Sequence, residues 1–467
     1  MKKNRGVLGR RDFVKGMSAA GLAGAVAGTG ALDGTAALAG SERADPTGLA
    51  GGNGVPGSAA RKFDFDEVVS RVGTESVRWD KAMEDFGPGI EAGMGVADMD
   101  FRAPPCVTEA LADRCSHENW GYQHRGSSYS EAVSAWNARR YGLEVDPGSV
   151  VFTTGVHPGL IAALHTFSPP GTRVLLLTPT YSGFYTDTKF TRTVAEDCPL
   201  VVDSEGRYAI DFDDFERRAQ RCNSFILCNP QNPTGNCWSE EDMMRLGEIC
   251  LRHRVVVLSD EIHCDFVTAG NRFTPFASLP DPEIVANSMT FSSGSKSFSL
   301  AAMKVAWYHT TNEDYLNRVK DNTRADLSTL GMVAMRAALT DGDEWLDELL
   351  AYLGANHDHA EEFVRKELPM THLRKGQGTY LAWLEVSELI DRIGAAETAE
   401  RETARGTEEV TPEKVLQRWF ANNARVFLNP GSNYGTGGAG RMRMNLASPR
   451  SVVAKALDNL AEAVSTL

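Results

Sequence analysis

No stretch of this 467-residue chain approaches the ~18–20 uninterrupted apolar residues of a membrane-spanning helix, so no stable membrane span is expected. None of the eight cysteines, all between Cys106 and Cys264, falls in a C-x-x-C pair, which argues against zinc; no metal is expected. Cys228 and Cys250 lie in apolar segments and read as free core thiols. Positive charge is in deficit: 48 Lys and Arg face 62 Asp and Glu, a formal charge of −14. With no basic stripe anywhere, nucleic acid is not an expected partner. Internal repeats are absent too, which leaves a globular chain long enough for two or three domains.

What is present begins with an unusual N-terminus. Lys2, Lys3 and Arg5 precede Arg10-Arg11-Asp12-Phe13-Val14-Lys15, a weakly apolar Ala/Gly-rich run follows over 17–31, and Ala37-Leu38-Ala39 supplies small residues for a signal peptidase. The paired arginines resemble a twin-arginine signal over 1–39. That resemblance implies the twin-arginine export machinery as a partner and a periplasmic or extracellular location. Residues 40–60, rich in Gly, Ala and Pro, read as a flexible linker, and the folded part is expected to start near Arg61.

From 150 onward, short apolar runs alternate with amphipathic stretches. Runs at 150–152, 174–177, 225–228, 255–258 and 289–291 predict strands buried on both faces. Helices are predicted over 158–167, with Leu160, Ile161 and Leu164 at helical spacing, and from Ser239, with Glu241 and Asp242 in its first turn. The pattern is α/β: a doubly wound, mainly parallel sheet. Beyond about 330 helices dominate, including 343–367, with strands expected at 378–384, 424–428 and 442–446 and a closing helix from Ser451. The charged segment 393–413 reads as a surface excursion. The expected division is an N-terminal segment over 61–120 packing on the small domain, a large domain over 121–330 and a small α+β domain over 331–467.

Ligands of open α/β sheets gather at the carboxyl ends of strands. Four such ends carry unusual sequence: Thr153-Thr154-Gly155-Val156-His157, Asn229-Pro230-Gln231-Asn232-Pro233-Thr234-Gly235, Ser259-Asp260-Glu261-Ile262-His263, and Ser292-Ser293-Gly294-Ser295-Lys296. They answer the needs of a phosphorylated pyridine aldehyde. Its phosphate wants a helix N-terminus, which Gly155 and Val156 offer, and hydroxyls, which Ser293 and Ser295 offer. Its aldehyde wants an amine, Lys296. Its ring nitrogen wants a carboxylate, Asp260, because a protonated pyridine is the electron sink. Its phenolic oxygen wants a donor, Asn232, and its ring face an aromatic, Tyr181. Each signal alone is weak: an Asn-Pro-Thr-Gly stretch is also an ordinary turn.

In this order they resemble the fold-type I pyridoxal-phosphate enzymes of the aminotransferase class I/II superfamily. There the turn asparagine stands roughly thirty residues before the ring-nitrogen aspartate, and the lysine roughly thirty-five further on; Asn232, Asp260 and Lys296 match both spacings. The resemblance implies that Lys296 holds pyridoxal 5'-phosphate covalently and is catalytic. It also implies that Arg443, in Arg443-Met444-Asn445, clamps the substrate carboxylate. Val96-Ala97-Asp98-Met99-Asp100-Phe101, Gly121-Tyr122 and the Asn232 and Asp260 motifs are similar to those of the MalY/PatB carbon–sulfur β-lyases. That subfamily implies a homodimer in which Tyr122 reaches the neighbouring site. It places His263 where many aminotransferases have a tyrosine near the phenolic oxygen. Departures are Gly95, Ser297 and Ser299 around the shared motifs, Lys304 in place of a phosphate-binding arginine, and Arg441 near the carboxylate clamp. The expected reaction is α,β-elimination on a small amino acid, a cysteine S-conjugate. An aminotransferase using the same residues is the alternative, and a non-catalytic binding protein on this fold the outsider.

Overall fold

The computed structural model describes residues 62–204 and 206–467; the signal and linker readings lie outside the described residues. A seven-stranded sheet forms the larger part. Its strands are β1 (Val151–Thr153), β2 (Arg173–Thr178), β3 (Val194–Pro199), β4 (Cys222–Cys228), β5 (Val256–Asp260), β6 (Ser288–Ser292) and β7 (Ala306–His309), in the order β1-β7-β6-β5-β4-β2-β3. All pairings are parallel except those of β7, which runs antiparallel to β1 and β6. The apolar runs at 174–177, 225–228, 255–258 and 289–291 become β2, β4, β5 and β6, buried nearly end to end because helices cover both faces.

Three strands lack that signature, among them β1, whose Val151 and Phe152 are only half-buried although the run at 150–152 predicts burial on both faces. β3 reads Val-Ala-Glu-Asp-Cys-Pro and sits at the sheet edge, where alternate residues face solvent. β7 is only four residues, Ala-Trp-Tyr-His, yet fully buried. Helix α1 (Val156–Phe167) starts directly after β1, and α2 (Glu240–Arg252) starts at a capping box in which Ser239 and Asp242 bond reciprocally.

The C-terminal part is a four-stranded antiparallel sheet of β8 (His372–Leu373), β9 (Leu381–Glu385), β10 (Asn429–Pro430) and β11 (Arg441–Asn445), in the order β8-β9-β11-β10. Helix α3 (Asp343–Glu367) precedes it, and α5 (Arg450–Ser465) closes the chain. The run at 424–428 yields only Val426–Phe427, which pairs in parallel with Ala92–Gly93 rather than joining the sheet. Segment 393–413 is more ordered than its charge suggests. Ala395–Arg405 is a helix, α4, which buries Ala395 and Ala399 and leaves its glutamates outside.

The N-terminal segment packs on this part. Trp79, Ala92 and Met94 share a core with Leu384, Met442 and Leu460. Phe65 meets Phe101 and Trp345 edge to face. All eight cysteines are free.

Candidate active site

Lys296 sits on a single helical turn, Gly294–Ser297, that follows β6. The Ser293 hydroxyl fixes this turn by accepting the Ser295 N–H at 3.0 Å and donating to the Val305 carbonyl at 2.7 Å. Gly294 is closely packed, since a Cβ there would lie 2.8 Å from Met335 Sδ and 3.2 Å from the Phe298 ring. The Lys296 Nζ donates to the Ala97 carbonyl at 2.6 Å. Burial, with the Arg443 guanidinium nearby, lowers the amine to about 8.

Asp260 ends β5, and its Oδ1 accepts the Ile262 N–H at 3.1 Å. Burial raises its carboxyl to about 6, against the Ile262 hydrogen bond and the charges of His157 and Lys296. A cation placed against it would hold it ionised. Asn232, on the turn after β4, accepts from Arg443 Nη1 at 3.0 Å, while Arg443 Nη2 donates to the Gly95 carbonyl at 2.8 Å. His263 is buried, and burial with the charges of Lys296 and Arg443 keeps its imidazole neutral.

These side chains line one cavity of about 380 Å3. The N-terminus of α1 at Gly155 and Val156 lines it with Ser295 and Lys304, and Tyr181, Asp260 and Arg443 face the same space. Two buried atoms of lining residues, Arg443 Nε and His263 Nδ1, have no hydrogen-bond partner. Buried polar atoms left open in this way are available to a ligand, an ion or water. A phosphate-binding end, an amine near neutrality and a buried carboxyl together fit pyridoxal phosphate.

Residues 91–460 match the family described as aminotransferase class I and II. The chain belongs to that family. Cystathionine β-lyase PatB of Bacillus subtilis (strain 168) is 37% identical over 411 residues, spanning 86% of this chain and all of PatB. Protein MalY of Escherichia coli (strain K12) is 29% identical, spanning 86% of this chain and 99% of MalY. The crystal structure of the pyridoxal-phosphate-bound C–S lyase from Staphylococcus hominis is similar with a TM-score of 0.75 and 30% identity, covering 87% of this chain and 99% of that one. The fold is accordingly the fold-type I architecture of pyridoxal-phosphate enzymes.

Within this aminotransferase-family cavity the structure brings together Gly155, Val156, Tyr181, Asn232, Asp260, His263, Ser295, Lys296 and Arg443. Ser293 lies outside the lining, and its hydroxyl is occupied as the cap of the Lys296 turn. Tyr122 does not line the cavity of its own chain; its side chain is fully exposed. Of the two basic departures from the family pattern, Lys304 lines the cavity. Arg441 faces a separate groove with Trp383 and Glu385, so it does not touch the carboxylate clamp.

Four contributors escaped the sequence reading. Ala97 acts through its carbonyl, which leaves no side-chain signal. Asn429 opens the two-residue strand β10 and Tyr434 ends the helical turn Gly431–Tyr434 after it, a stretch with no strand-end motif. His157 was visible in the motif that opens α1, but a lone histidine there carries no spacing signature.

Proposed function

We propose that this protein is a pyridoxal-phosphate-dependent carbon–sulfur β-lyase. It cleaves a cysteine S-conjugate such as cystathionine to a thiol, pyruvate and ammonia. The observation that carries this reading is the likeness to PatB along PatB's entire length, in a chain whose Lys296, Asp260 and Arg443 share one cavity.

The bound cofactor supplies the electron sink. The protein's own residues do the rest. Lys296 would anchor the cofactor, and its Nζ would take the α-proton. An amine held at about 8 can be neutral and basic near physiological pH, whereas an ordinary lysine cannot. Asp260 would hold the ring nitrogen protonated. Arg443 orients the substrate through its carboxylate, with Nε open for a further bond. Gly155, Val156, Ser295 and Lys304 would hold the phosphate.

Incubation of the protein and pyridoxal phosphate with L-cystathionine, without any keto acid, tests the proposal. Equal release of pyruvate and thiol, lost in Lys296→Ala, is expected. Turnover only when a keto acid is supplied would make the protein an aminotransferase and refute the lyase reading.

We further infer a homodimer and export by the twin-arginine route. The full exposure of Tyr122 beside a half-exposed Trp120 supports the first, and Arg10-Arg11 with its flanking residues supports the second. Replacing both arginines with lysine should retain the enzyme inside the cell. Unchanged export would refute the route.

A further inference from the structure

The side of the cavity that holds Tyr181 contains a second charged pair that the reaction described above does not use. His157 is the second residue of α1 and lines the cavity. Its Nδ1 lies 2.6 Å from Asp187 Oδ2, and its Nε2 faces the Tyr181 hydroxyl at 3.4 Å. The His157 and Tyr181 rings lie 5.4 Å apart, tilted by 38°. Asp187, on the helix Gly183–Thr191, is only 3% exposed, which excludes a water-solvated carboxylate. A buried carboxylate is costly unless a partner supplies a proton or a charge, and the His157 ring faces it at hydrogen-bonding distance.

Local packing is built for this arrangement. A Cβ on Gly183 would fall 2.3 Å from His157 Cε1 and 2.6 Å from Tyr181 Cε1, so a glycine is required where the helix passes the two rings. The charged and titratable groups facing His157 are Asp187 on that helix, Tyr181 just ahead of it, Asp260 at the end of β5 and Lys296 on its turn. Burial works against the imidazolium, but the hydrogen bond and charge of Asp187 outweigh it, and His157 is raised above its ordinary value. Asp187 is also raised, by burial. Asp187 thus favours the protonated ring of His157, whose Nε2 is directed at the Tyr181 hydroxyl.

We propose that His157, anchored by Asp187, is a positioning residue that fixes Tyr181 against the face of the cofactor ring. The chain runs Asp187, His157, Tyr181, ring. Each link restricts the next, so the aromatic wall is set before the cofactor enters. The proposal rests on the cofactor assignment above, not on the choice between lyase and aminotransferase.

The test is the dissociation constant of pyridoxal phosphate, read from its absorption in the absence of substrate, for His157→Phe, Tyr181→Phe and the double variant. Each single change should weaken binding by about tenfold, the double no more than the worse single, as required when one residue acts through the other. Losses that multiply, or His157→Phe binding as tightly as the parent, would overturn the proposal. Asp187→Asn keeps the size and a hydrogen bond but removes the charge. The pH at which affinity falls on the alkaline side, where His157 loses its proton, should then move down by about one unit. An unmoved profile would also overturn the proposal, and this variant decides the matter if His157→Phe does not fold. Failure of the cystathionine assay would leave these binding outcomes unchanged, so the two readings fail separately.

Discussion

Lys296 is a buried amine with one hydrogen-bond acceptor, the Ala97 carbonyl, and a guanidinium nearby. Attachment to an aldehyde requires the unprotonated amine, and burial brings that form within reach at about 8. The sign follows from titration: below that value the amine is protonated and cannot attack. Cofactor capture by the apoprotein, followed by absorbance on mixing, should run about tenfold slower at pH 7 than at pH 9. A rate flat across that range would mean that the amine is neutral throughout. At this scale the sequence was informative where chemistry needs a side chain at fixed spacing. Asn232, Asp260 and Lys296 announced themselves in that way. Ala97 could not, since any residue carries a carbonyl. Ser293 was legible as a hydroxyl near the phosphate end, but its hydroxyl is occupied as a cap, which only the geometry of the turn reveals.

Among the elements, the segment from Gly93 to Asp100 forms a strap that lines the cavity at Val96 and Ala97 and is held largely by side-chain hydrogen bonds. Arg78 is wholly buried and donates to the carbonyls of Gly93, Asp98 (2.7 Å) and Ala447 (3.2 Å) and to the Ser448 hydroxyl (2.6 Å), with Asp100 at 3.4 Å. Asn445 Nδ2 donates to the Val96 and Asp98 carbonyls at 2.5 and 2.6 Å. Arg78→Ala would strip these carbonyls and leave Asp100 without one of its buried charge partners. A loss of about 3–5 kcal/mol is expected, together with weaker cofactor retention. Denaturant unfolding and cofactor absorbance measure the two, and a loss below about 1 kcal/mol would show that the strap holds itself. The strap was recognisable as a motif, Val96-Ala97-Asp98-Met99-Asp100-Phe101, although nothing in its composition says what it spans. Strands behaved similarly. Those buried on both faces were plain, while β3 was masked by its polar edge and β7 by its brevity.

On the scale of the whole molecule, sheet order is what periodicity withholds. Alternating strands and helices predict a parallel sheet, but the reversal of β7 between β1 and β6 depends on long-range pairing. The assembly inference also belongs here. If Tyr122 serves the neighbouring site, Tyr122→Ala and Lys296→Ala chains are each defective, but a mixed dimer contains one site with both residues intact. Mixing the two inactive variants under subunit exchange should restore a substantial fraction of activity, up to about half per mixed dimer. No recovery, with exchange verified by mass, would return Tyr122 to an ordinary surface role.

The strap also has a bearing on synthesis at the ribosome. The strap lies early in the chain, but two of the residues that hold it come late: Arg443 holds Gly95, and Asn445 holds Val96 and Asp98. A nascent chain that stops short of β11 has its lysine and its aspartate but no roof over them. Translation must therefore pass β11 before the cofactor is enclosed, so tight retention of the cofactor reports that β11 has been made and has docked.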